Sequence, residues 1–280
     1  MPRRRLRLDL RNLVLGMVVL ACLATLGNTL FVAYQVQQNA LVGFTLHANQ
    51  AYARKVASSI SEFLQSAHSH LHYSARQLSG GLGDTALLNA EVRRLRLQDQ
   101  DFNSIIIANA DGEVLEAYPD IRQATSHPRH SPEIQQALAA RKRFVSSAFI
   151  SRGGNLVIFI SEPIFAADGS YLGIVGGSVF LKKESALHTT IGSHFQLDGT
   201  IVFVGDTKRQ LLYHTNPELI GTQIDGSPTL DAALRGEGGI LDAPNYVGVP
   251  MLAGFAPVAQ THWAVVAQQP REIALARCAR

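Results

Sequence analysis

Three histidines, His68, His70 and His72, fall close together, and His68 and His72 stand at i and i+4, a helical spacing at which two imidazoles can grip one metal ion. A structural zinc site takes four ligands, no cysteine is near and only the distant His47 shares the segment, so a polar helix face is expected instead. Ser151 and Ser178 lie beside glycines, yet GGSVF at Gly176 to Phe180 lacks the Gly-x-Ser-x-Gly elbow that exposes a nucleophile between strand and helix. Gly153-Gly154 and Gly236-Glu237-Gly238-Gly239 read as turns between strands rather than phosphate loops. No catalysis, metal or cofactor is therefore expected. The remaining stretch with chemistry in it is YPDIRQATSHPRHS, Tyr118 to Ser131, where Arg122, Arg129 and His130 can meet an anion. Arginine suits that role because its planar fork holds a carboxylate bidentately.

Those residues must be positioned by elements that the hydropathy pattern outlines. Leu13 to Tyr34 carries no formal charge and is about as long as a helix needs to cross a hydrocarbon layer of roughly 30 Å. Arg3, Arg4, Arg5, Arg7 and Arg11 precede it against a lone Asp9, a bias that puts the N-terminus in the cytoplasm and everything after Tyr34 outside. A cleaved signal peptide shares this outline, but AYQVQQNALVG offers no small-x-small cleavage site. The net charge of +3 comes from that basic start, and the rest of the chain is nearly neutral, so it offers no electrostatic footprint for nucleic acid. Of the two cysteines, Cys22 lies in the apolar run and Cys278 at the far end, which leaves no disulfide framework.

From Leu41 the apolar positions Phe44, Ala48, Tyr52, Val56, Ile60, Phe63, Ala67, Leu71, Ala75 and Leu78 follow in steps of three or four, one face of a single long helix. Gly80-Gly81-Leu82-Gly83 ends it. Strands are expected at Ser104 to Ala108 and Val114 to Tyr118, turning at Asp111-Gly112, then a helix at Ser131 to Lys142. Three further strands are expected at Phe144 to Ile150, Leu156 to Phe165 and Tyr171 to Leu181. The same order recurs at Thr200 to Val204, Gln210 to His214, the short helix Pro228 to Leu234, and strands at Gly239 to Asp242, Val249 to Pro257 and Trp263 to Gln269. An α+β fold is expected, with two antiparallel sheet modules in series.

An N-terminal span, a long helix and two five-stranded PAS-like modules together resemble the double Cache sensor regions of bacterial signal-transduction proteins, including membrane-bound diguanylate cyclases and chemoreceptors. The strand pair around NADGEV and the phrase ISEPIFAADGSYLGIVGGSVFL, Ile160 to Leu181, carry the resemblance most specifically. It implies a basic cytoplasmic tail at 1–12, an anchor in the inner membrane at 13–34, a spine helix at 35–79, a membrane-distal module at 80–182, a proximal module at 183–270 and a tail at 271–280. The bulk would be periplasmic, and the distal module would hold a small ligand between its sheet and the loop after Tyr118. Tyr118, Arg122, Arg129 and His130 would face that ligand, with Phe144, Ser146 and Phe149 as floor. Ser178 stands where amino-acid-binding members would carry an aspartate and no tryptophan follows Arg122, so an anion is expected rather than an amino acid. After Gln269 the chain reads PREIALARCAR without the second span and output domain that such receptors have. A diguanylate cyclase is the first expectation for the parent protein, and a homodimer through the spine helix for its assembly. An anchored protein-interaction or dimerisation module without a small ligand is the alternative.

Overall fold

A computed structural model describes residues 10–99, 101–119, 132–183, 185–192 and 199–276. One helix, α1 (Leu10–Gln77), runs unbroken for 68 residues, about 100 Å at 1.5 Å per residue. Its first part is apolar, wholly outside the packed core, and long enough to cross a membrane. Beyond it a stripe at Ala53, Val56, Ile60, Leu64, Ala67 and Leu71 is completely or almost completely buried, as the three-and-four spacing requires. The stripe departs from expectation nearer the apolar end, where Phe44 is exposed while Thr45 and Asn49 are buried. There the neighbour is strand backbone rather than side chain, and Asn49 Nδ2 donates to the carbonyl of Leu252 at 2.7 Å. The helix stops in a tight turn at Leu78–Gly80 closed by the Gly81 amide on the Leu78 carbonyl. The side chain of Asp84 then caps α2 (Thr85–Arg94) by accepting from the amides of Ala86 and Leu87.

The first sheet contains β1 (Ser104–Asn109), β2 (Val114–Tyr118), β3 (Phe144–Val145), β4 (Phe149–Ile150), β5 (Leu156–Phe165) and β6 (Tyr171–Phe180) in the order β2-β1-β6-β5-β3, with β4 also on β5. The second contains β7 (Ile201–Gly205), β8 (Leu211–His214), β9 (Gly239–Pro244), β10 (Pro250–Pro257) and β11 (Ala264–Pro270) in the order β8-β7-β11-β10-β9. The two orders are the same, and every pairing is antiparallel. A short helix lies between the second and third strands of each sheet, α3 (Pro132–Ala140) and α5 (Pro228–Leu234). Between the sheets comes α4 (Ala186–Gly192), and α6 (Arg271–Ala276) follows the last strand; both return to α1.

Each sheet lays one face on α1. Ile105, Ile158 and Val175 of the first and Val202, Val265 and Ala267 of the second join Ile60, Leu64 and Leu71 in one continuous core. His68 of α1 meets the first sheet at Glu162, and Asn49 meets the second at Leu252. Those contacts are nineteen positions apart on the helix, about 29 Å, so the first sheet sits farther from the apolar segment than the second.

The strand expected as one piece at Phe144 to Ile150 is broken in two. Val145 pairs with Ile160 and Phe149 with Val157, four positions against three, so β3 and β4 carry one extra residue. Ser146 holds this bulge: its Oγ accepts from the Phe159 amide at 2.8 Å and donates to the Ser147 carbonyl at 2.7 Å.

In the second sheet His214 stacks on Phe203 with centroids 6.0 Å apart, and its Nδ1 accepts from the Asn216 amide at 2.8 Å. Burial pushes its pKa below the ordinary 6.5. The folded state therefore favours neutral imidazole, and its stability is fully present above pH 6.5 and declines as pH falls below it towards the folded pKa. Urea unfolding in detergent micelles should show that decline between pH 7.5 and 5.5, with a slope of at most about 1.4 kcal/mol per pH unit from this group. In His214→Gln this contribution should vanish.

Candidate functional site

On the face of the first sheet turned away from α1, Ile106 and Ala108 of β1, Ala117 of β2, Phe159 of β5 and Ile174 of β6 form a second apolar cluster beneath α3. The hydroxyl of Tyr171 donates to the Leu138 carbonyl at 3.2 Å and so ties α3 to the sheet. Burial lifts the pKa of Tyr171 above its ordinary value although Arg141 opposes the shift, which keeps that hydroxyl a donor. Beside this cluster the packing leaves a cavity of about 210 Å³. Drug-sized ligands occupy roughly 300 to 1,000 Å³, so this space suits a smaller molecule.

Register determines what lines it. Ser104 of β1 and Phe159 of β5 both pair with Ser178 of β6, which brings three strands to one point on the outer face. Ile106, Val114, Ile134, Phe149, Phe159 and Phe180 supply apolar walls; Asn103, Ser104, Ser178 and Asn155 supply polar groups. The Asn103 side-chain oxygen is already committed to the Phe180 amide at 2.8 Å. At the mouth the turn between β4 and β5 closes through the Ser151 amide on the Asn155 carbonyl and carries exposed Arg152. Tyr118 forms part of the wall, with the Arg96 guanidinium 4.2 Å from its ring centroid. Among the described residues the lining holds one cation, Arg152, and no carboxylate.

Of the site residues expected from sequence, Tyr118, Phe149 and Ser178 come together on this cavity. Phe144 packs against the same apolar cluster without lining it, and Ser146 is turned into the bulge. Arg122, Arg129 and His130 lie outside the described residues. Sequence reasoning missed Arg152, because Gly153-Gly154 was legible only as a turn; its place beside the end of the strand that carries Phe149 was the available signal.

The histidines of α1 are not the polar face expected. His68 is buried, with Nδ1 3.2 Å from Glu162 Oε1, while His72 is half exposed with Nδ1 4.0 Å from Glu162 Oε2. His70 Nδ1 stands 2.8 Å from Asp101. Among the described residues no three His, Cys, Asp or Glu side chains are placed to hold a metal ion.

The Cache domain family model matches residues 35–278. No curated protein matches this chain. Among solved structures, the ligand-binding domain of the Pseudomonas aeruginosa amino acid chemoreceptor PctC in complex with GABA is similar at 22% identity, with a TM-score of 0.63 over 80% of this chain and 99% of that one. The ligand-binding domain of the Pseudomonas fluorescens chemoreceptor CtaA in complex with L-isoleucine is similar at 16% identity, with a TM-score of 0.65 over 86% of this chain and 98% of that one. An extracellular ligand binding receptor from Desulfohalobium retbaense is similar at 16% identity and a TM-score of 0.59, over 78% of this chain but only 39% of its own length. The family match spans both sheets and most of α1, and the chain belongs to the Cache domain family as a sensor region built of two sheet modules on one helix.

Proposed function

We propose that this chain is the extracytoplasmic sensor of a bacterial membrane signal-transduction protein and that its first module binds a small organic acid without an amino group. The observation that carries this reading is the composition of the outer cavity: apolar walls, hydroxyls on converging strands, one arginine at the mouth and no acid among the described lining. A carboxylate finds a charge-assisted partner in Arg152, whereas an ammonium group would be desolvated without a counter-ion. In this reading α1 anchors the chain in the inner membrane with the N-terminus in the cytoplasm and both modules in the periplasm. A diguanylate cyclase is the output that fits the resemblance best, ahead of a chemoreceptor or histidine kinase. Tyr118, Ser178 and Phe149 contact the ligand.

Calorimetry of the full chain in detergent micelles against straight-chain monocarboxylates of about two to five carbons, each paired with its 2-amino counterpart, tests this. The acids should bind and the amino acids should not. Arg152→Ala should weaken binding by roughly 10- to 100-fold, the range expected for loss of a hydrogen bond between charged groups. Preference for the amino acids would sink the reading.

The second reading, an anchored dimerisation module without a small ligand, rests on Phe44 and Tyr73, which stay exposed on α1 at 67% and 52%. A flat ligand screen together with a concentration-dependent dimer that Phe44→Ser abolishes would favour it.

A further inference from the structure

A larger space lies on the other side of the first module. A cleft of about 560 Å³ separates the β3 edge of the first sheet from the turns of the second. Lys142, Arg143 and Ser147 line it from one module, Thr207 and the run Gln260 to Trp263 from the other, and His68 from α1. Among the described residues no carboxylate belongs to the lining, while two imidazoles, an ammonium and a guanidinium do.

The acids nearest to it are buried outside the lining. Glu162 is 3% exposed and shares Oε1 between Arg143 Nε at 2.8 Å and His68 Nδ1 at 3.2 Å. Asp206, next to Thr207, is buried; its Oδ1 accepts from the amides of Lys208 and Gln210 at 2.8 and 3.0 Å, while its Oδ2 has no hydrogen-bond partner among the described residues. The Arg143 guanidinium pairs with Glu162 only at ion-pair distance through Nε and its side chain is 61% exposed, so its N–H donors can reach a second acceptor. The Thr207 and Thr261 side chains add hydroxyls, and buried Trp263 gives the cleft an aromatic wall.

We propose that this cleft is a second ligand site, which takes a small oxyanion, phosphate or carboxylate, between the two modules. Lys142 and Arg143 contribute donors from the first module and His262 from the second, so the bound anion ties both sheets and His68 of α1 together. The site stands apart from the outer cavity, on the opposite side of the bulge at Ser146, and does not depend on what that cavity binds.

Trp263 is the only tryptophan in the chain, so its fluorescence reports on the cleft. The full chain in detergent micelles is titrated with inorganic phosphate and, separately, with succinate. At least one anion should produce a saturable change with a midpoint in the millimolar range or below. The double variant Lys142→Gln, His262→Ala, both exposed positions, should raise that midpoint at least about tenfold. Arg152→Ala should leave it unchanged, which separates this site from the outer cavity. The proposal is overturned if neither anion saturates below about 20 mM, if the double variant keeps the wild-type midpoint, or if Arg152→Ala abolishes the change.

Discussion

Alanine at position 254 is expected to unseat the second sheet from α1. A Cβ built on Gly254 lies 2.0 Å from the backbone nitrogen of Gln50, 2.3 Å from its Cα and 2.4 Å from the carbonyl carbon of Asn49. All three are helix backbone, so no rotamer change can relieve the clash. Nor can β10 slide away alone, since Gly254 pairs with Ala267 on one side and Ile240 on the other. Two positions along, the Leu252 carbonyl is held by Asn49 at 2.7 Å, and that bond also breaks if the strand lifts. Overpacking of a side chain costs about 1–3 kcal/mol. A Cβ driven into helix backbone, which no rotamer can move, should cost more than about 4 kcal/mol, the range reserved for exceptional substitutions. Urea unfolding in micelles reads the loss, and amide exchange should quicken first in β10 and β11. Gly43→Ala is the control: nothing lies within 4 Å of its Cβ, and an alanine in a helix interior should add about 0.5–1 kcal/mol.

Trp263→Ala should cost about 3–5 kcal/mol, the usual range for removing a large buried aromatic side chain. Trp263 is 5% exposed and belongs to the same continuous core as Leu64 and Leu71 of α1, at the point where the second module faces the cleft. Its hole would open onto that cleft rather than close over, because His262 and Gln260 beside it are exposed and cannot fill it with apolar atoms. Trp263→Phe should recover most of the loss. Chemical denaturation followed by circular dichroism measures both variants, since the fluorescent reporter is removed with the residue. A loss below about 1 kcal/mol would mean that the cleft-side wall of the core is not what holds the second sheet to α1.

The elements were largely legible because their signals are local. The strand expected at Val114 to Tyr118 has the bounds of β2, and Asp111-Gly112 supplies the positive φ of 87° that its turn uses. The repeat of strand order was legible too, and both sheets carry it. What stayed hidden depended on contacts distant in sequence. Phe44 reads as the next step of an apolar stripe, but the strand facing it presents backbone at Gly254, so Thr45 and Asn49 are buried instead. Glu162 before a proline reads as a polar strand end; only the alternation of β5, with Ile158 and Ile160 on the helix side, reveals that it must face His68. The cavity was half legible for the same reason. Tyr118 and Ser178 could be placed by strand order, whereas the extra residue at Ser146 resets the pairing of Phe149, and nothing in FVSSAFI announces a bulge.

The uninterrupted helix from Leu10 to Gln77 has a mechanical consequence. A rod about 100 Å long, gripped by sheets over its farther half, is a lever whose fulcrum is the packed stripe from Ala53 to Leu71. A tilt of about 1° displaces one end of such a rod relative to the other by roughly 1.7 Å. Rearrangements too small to disturb either core thus arrive at the apolar end as shifts comparable to a bond length, and the gain is set by the number of helical residues between sheet and apolar segment.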